Sequence, residues 1–240
     1  MRLRHGRLLG WTLALLAIVL FTALGRWQLG RMDEKQAMLD AVAGTLEARA
    51  PLPLSLAGAP EQARGYDWAV GRGAFAKAPA VLLDNQQRDG RPGVRAYRLF
   101  DPDAGAPLLV ELGWLPLPGD RTMPAVPRPD GPHRLQGLLA PPPSPGLGQA
   151  RLVPAADEAG AVVVTGLHAP GLAQALGVPA LPPRVLKLDP DLPLGFARDL
   201  DVLPNTLSPQ QHLGYAVQWF GLALAVLVTA LVLTFRRPRR

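Results

Sequence analysis

Two stretches without a charged residue, Leu8 to Gly25 and Tyr215 to Phe235, dominate the hydropathy pattern. Each is long enough for an α-helix to cross the hydrocarbon of a bilayer, and a helix is the only single segment that satisfies its own backbone there. Of the 27 prolines, 26 lie between Pro51 and Pro209 and the last is Pro238, so neither run contains a helix breaker. Past the first run, residues 26–44 keep helix-forming composition, and Gly44 is the expected stop. The pattern then changes period. Asp67 to Phe75 alternates, Ala80 to Leu83 and Val94 to Phe100 are short apolar runs, and the polar stretch Asn85 to Gly93 between them reads as a turn region. Leu108 to Leu115, His133 to Ala140, Ala161 to Gly166 and Arg184 to Leu188 read as further strands, and Pro170 to Leu176 as one short helix. Six prolines in residues 116–132 predict an extended loop, and Ala50 to Arg64 an irregular connector. The predicted fold is a two-helix transmembrane hairpin holding a mainly β soluble domain, an antiparallel sheet or barrel-like.

Charge orients that arrangement. Arg2, Arg4 and Arg7 precede the first span, and Arg236, Arg237, Arg239 and Arg240 follow the second. Lys and Arg near a span stay on the cytoplasmic side. Residues 1–7 and 236–240 are therefore expected as cytoplasmic tails, 8–25 and 215–235 as spans, 26–44 as a helical extension, and 45–214 as the outer domain. The stretch 26–214 holds 18 basic against 19 acidic residues, so the high pI of about 10.4 reports topology and not a nucleic-acid partner. A cleaved signal peptide shares the basic start and the apolar run, but this run is longer than an h-region and Phe21 to Trp27 lacks an A-x-A site. No Arg/Ser-rich amphipathic presequence precedes it, which points to a bacterial inner membrane. There is no cysteine, which removes disulfides, thiol catalysis and Cys-based metal sites.

Catalytic constellations are not legible. Ser55, Ser144 and Ser208 are the only serines, and none sits in a G-x-S-x-G elbow. His5, His133, His168 and His212 lack metal-ligand spacing. The pairs Asp101/Asp103 and Asp189/Asp191 flank prolines and read as turn residues. His212 stands apart because it lies where the chain enters the second run, with Tyr215 and Trp219 at i+3 and i+7. Such an imidazole suits haem iron. Tyr, Trp and His are equally at home at a membrane interface with no cofactor.

The two ends together resemble the Surfeit locus protein one family. Leu24-Gly25-Arg26-Trp27-Gln28-Leu29, followed by Arg31 and Lys35, is similar to that family's L-G-x-W-Q-x-x-R-x-x-x-K signature. His212-Leu213-Gly214-Tyr215-Ala216-Val217-Gln218-Trp219-Phe220 is similar to its H-x-x-Y-A-x-x-W-F. Leu83-Asp84-Asn85 with Gly90-Arg91-Pro92-Gly93, and Leu109-Val110 with Gly113-Trp114-Leu115-Pro116, fall between in the family's order. One block departs: the usual V-N-R-G-W reads Val110-Glu111-Leu112-Gly113-Trp114.

The resemblance implies an assembly factor for haem-copper cytochrome c oxidase rather than an enzyme. It would bind haem a transiently and assist its insertion into subunit I, a haem a synthase being a further partner. His212 is then the candidate iron ligand, and Tyr215, Trp219 and Trp27 the candidate pocket wall. Arg26 and Arg31 would pair with the propionates, although arginines there also anchor helices to headgroups. The alternative is a cofactor-free membrane scaffold that stabilises an oxidase assembly intermediate.

Overall fold

The computed structural model describes residues 2–143, 149–153, 160–203 and 206–236. Ser144, Asn205, Arg237, Arg239 and Arg240 lie outside the described residues. The chain forms two compact units, residues 1–40 with 206–240 and residues 41–205.

The first unit is built from helix α1 (Arg2–Ala48) and helix α3 (Pro209–Phe235). Both are long and apolar enough to cross a membrane. Their apolar side chains face outward: Leu8 and Val19 are 68% and 67% exposed, and Val217 and Leu233 both 63%. A core helix of a soluble protein buries such residues, so outward leucines at this density need a hydrocarbon solvent.

Helix α1 does not stop at Gly44 as expected but continues to Ala48. A mid-helix glycine costs about 1 kcal/mol relative to alanine. Here Val42 is buried in a cluster with Leu138 and Ala140, and Leu46 packs against it. Thr45 adds a tether by donating its hydroxyl toward the carbonyls of Ala41 and Tyr66, each at 3.0 Å. Burial therefore carries the helix past the glycine. It ends at Arg49, whose φ is +40°, two residues before Pro51.

The second unit is a nine-stranded sheet with β1 (Leu52–Pro53), β2 (Asp67–Phe75), β3 (Val81–Arg88), β4 (Arg91–Pro102), β5 (Leu108–Pro116), β6 (Pro132–Ala140), β7 (Leu152–Val153), β8 (Val162–Val164) and β9 (Val185–Leu188). The spatial order is β1-β2-β6-β9-β5-β4-β3-β8-β7, and the end of β2 also pairs with the end of β4. The expected antiparallel sheet or barrel is thus corrected to a mixed sheet: β1 with β2, β3 with β8 and β5 with β9 run parallel. The late strands account for this. After the loop 117–131 and strand β6, the chain returns to place β9 between β6 and β5, where it is buried on both faces. A strand buried on both faces belongs in a sheet centre, and its one charged residue, Lys187, is paired with Glu111.

The region Asn85 to Gly93 is mostly strand instead of turn. The reversal needs only Asp89 and Gly90, with φ of 52° and 73°, and the ladder resumes at Arg88 opposite Arg91. Positive φ at both central residues is what a two-residue hairpin demands. The polar residues before it lie beyond a register shift between Leu83 and Gln86.

Alternation along β5 separates two cores. Leu108, Val110 and Leu112 join Phe100, Leu135 and Leu186 on one face. Leu109 joins Tyr97, Leu99 and Val185 on the other, where α2 (Leu172–Ala175) contributes Leu172.

Candidate functional site

The start of α3 is set by its own sequence. Ser208 is the N-cap: its hydroxyl accepts from Gln211 N at 3.3 Å, and Ser208 N donates back to Gln211 Oε1 at 2.8 Å. Pro209 follows at the first helical position. This capping box satisfies two end groups and fixes the first turn, whose next residue toward α1 is His212. His212 is 6% exposed.

The partner of His212 is Gln28 of α1, itself 8% exposed. The imidazole Nδ1–H donates to Gln28 Oε1 at 2.6 Å. Close approach of the helices makes this reach possible. A Cβ placed on Gly25, one turn before Gln28, would lie 2.7 Å from Cε1 of Phe220, so the glycine makes room for that ring. On α3, Ala216 and Ala223 are buried on the same side as His212. Small residues at a helix seam allow such contact in a bilayer. Farther along, Phe21 and Trp219 have ring centroids 5.6 Å apart, and Trp11 Nε1 donates to Thr234 Oγ1 at 3.0 Å.

The remaining expected site residues are placed differently. Tyr215, three residues after the buried His212, is itself 42% exposed. Trp27 and Trp219 do not meet: Trp27 is exposed, and the ring beside Trp219 is that of Phe21. Arg26 is exposed. Arg31 forms an ion pair with Glu34 one turn on, and Lys35 donates to Thr206 Oγ1 at 3.4 Å. Gln28, Arg31 and Lys35 follow one another at helical spacing on α1, so two cations continue the face that holds His212.

In the sequence Gln28 and Gly25 stand inside a motif with nothing local to mark their roles, and Ser208 is a helix cap, not a nucleophile. The S-x-x-Q spacing of Ser208 and Gln211 was the available signal for a cap. Among the described residues there is no group of three His, Cys, Asp or Glu side chains placed to hold a metal ion.

A second cluster lies in the β unit at the departing block. Glu111 is 2% exposed, and Lys187 Nζ donates to both of its carboxylate oxygens at 3.2 Å. Tyr97 Oη donates to Oε2 at 3.0 Å, and Arg95 completes the shell. Burial alone would push the Glu111 carboxyl up; the charges of Lys187 and Arg95, with the Arg95 and Tyr97 hydrogen bonds, outweigh it and hold the carboxyl below its ordinary range. Burial, then the Glu111 charge, pushes the Tyr97 phenol well up. Leu112 joins the opposite core, so the basic groups beside this block come from β4 and β9. The cluster satisfies the Glu111 carboxylate from three sides, while Arg95 Nε is buried without a hydrogen-bond partner among the described residues.

Two outward-facing apolar helices, a buried polar pair at their seam and a mixed sheet inserted between them in sequence are compatible with a membrane-anchored protein. A family model described as the SURF1 family matches residues 15–224, a span that contains both terminal motifs. The chain belongs to the SURF1 family, which is associated with cytochrome oxidase assembly and is a family of assembly factors rather than of enzymes. A search of curated proteins gives no match.

Proposed function

We propose that this chain is a haem-handling assembly factor of a bacterial inner membrane, binding haem a through His212 and assisting its insertion into subunit I of cytochrome c oxidase. Both termini are cytoplasmic and the β unit periplasmic in this reading, because the arginines cluster at the two tails. A haem a synthase is the natural supplier.

The observation that carries the reading is a single imidazole held at the head of α3 by a buried partner, with Arg31 and Lys35 continuing the opposite helix face. His212 would hold a haem through one imidazole nitrogen. The cations suit its propionates. Among the described residues Arg31 pairs with Glu34 at an exposed position, and exposed pairs contribute about 0–1 kcal/mol, so its guanidinium can exchange partners at little cost. The exposed Arg26, Trp27 and Tyr215 supply a further charge and apolar surface. Trp219 supports the seam by packing on Phe21.

The test is the visible spectrum of the full chain purified from cells that make haem a, beside His212→Ala. Wild type is expected to carry haem a, and His212→Ala to lose it or change its ligation bands. A colourless wild type would leave the cofactor-free scaffold as the surviving reading.

A further inference from the structure

We infer that Gln28 is a positioning residue: it fixes the His212 imidazole in the Nδ1–H form and keeps Nε2 as the nitrogen offered to a ligand. An imidazole has two nitrogens, and in its neutral form one donates while the other holds the lone pair. Which is which depends on what the other nitrogen touches. At His212 the nearer nitrogen, Nδ1, lies 2.6 Å from the carbonyl oxygen of Gln28, an atom that can only accept. The proton therefore sits on Nδ1. Both side chains are buried, so water does not compete for either end of this bond. No hydrogen bond is formed by Nε2 among the described residues.

The surrounding seam makes the arrangement rigid. Gly25 admits the Phe220 ring one turn away, and the Ser208 capping box fixes the turn of α3 that carries His212. The amide is thus held where it orients the ring, as carboxylates and carbonyls do behind metal-bound histidines. Glutamine differs from those groups in one respect. It is uncharged, so it orients the imidazole without adding a charge within the apolar seam, where an unpaired carboxylate would be costly.

That Nε2 meets haem iron rests on the proposed function, whereas the tautomer does not. The experiment separates them. The ¹⁵N-labelled full chain, in lipid nanodiscs and free of haem, is examined by NMR for its imidazole nitrogens, with His212 assigned by the signals lost in His212→Ala. Wild type is expected to show a protonated Nδ1 and an unprotonated Nε2. Gln28→Leu and the milder Gln28→Asn are expected to shift His212 toward the Nε2–H form, and Gln28→Glu, which keeps an acceptor in place, to retain Nδ1–H. Titration with haem a then reads the consequence: about 10–100-fold weaker binding for Gln28→Asn, the scale of outer-shell losses at metal sites, and recovery in Gln28→Glu. An Nε2–H wild type, or a tautomer indifferent to all three variants, overturns the inference, as does a tautomer shift with unchanged haem affinity. A wild type that shows the expected tautomer and binds no haem supports the positioning role and defeats the haem reading alone.

Discussion

Glu111 shows how much one position can depend on its neighbours. Its carboxylate is buried with Lys187 and Arg95, and removing it would leave two cations in a low-dielectric site without a counter-charge. Breaking a buried pair from one side costs about 3–5 kcal/mol. Glu111→Leu should therefore lower the unfolding free energy of the β unit by about that amount, read by denaturant titration of the full chain in detergent. Replacing Lys187 as well, in Glu111→Leu with Lys187→Met, should recover part of the loss; a single variant as stable as wild type would refute the assignment. The same carboxylate makes stability depend on pH. Its folded pKa lies below the unfolded value, about 4.3 for a free glutamate. The contribution is complete above that value and disappears as the pH falls through the folded pKa. The β unit is expected to lose stability in acid, and Glu111→Leu to flatten that dependence.

Among the elements, α3 owes its starting point to Ser208, Pro209 and Gln211. Ser208→Ala removes the cap acceptor and should cost about 1 kcal/mol of helix stability. Because His212 lies four residues on, amide exchange should rise through the first turn, while the middle of α3 stays protected; unchanged exchange at Gln211 and His212 would show that the cap is idle. How much of the elements could be read from sequence follows their physics. The spans and strands β2, β5 and β6 carry local signals, an unbroken apolar run or strict alternation, so their residues announce them. The two-residue strands β1 and β7 carry no periodicity at all. Parallel pairing of β8 with β3 and of β9 with β5 is a matter of long-range register, which no local pattern encodes. The site divides in the same way. His212 was visible as a polar residue at a span boundary, but its bond to Gln28 joins positions 184 residues apart. Trp27 was expected at the seam because it belongs to the motif, yet the seam is lined by Gly25 and Gln28 on either side of it.

At the scale of the molecule, the absence of cysteine makes orientation directly measurable. Lys77, in the β unit, and Arg7, in α1, are both exposed. In cells with a permeabilised outer membrane, Lys77→Cys should react with a membrane-impermeant maleimide, and Arg7→Cys only after lysis. The reverse pattern would sink the proposed topology. Strand order has a separate consequence for biosynthesis. Strand β9 sits between β5 and β6, so a chain extending from its N-terminus presents both of those strands with unfilled backbone edges until Val185–Leu188 emerges. Unfilled edges are templates for pairing with other chains. The sheet is thus keyed last from its middle, like an arch awaiting its keystone, and only a short stretch of translation separates that moment from the appearance of α3. A nascent chain stalled before residue 185 is a hazard to its neighbours, which quality control must tolerate or remove.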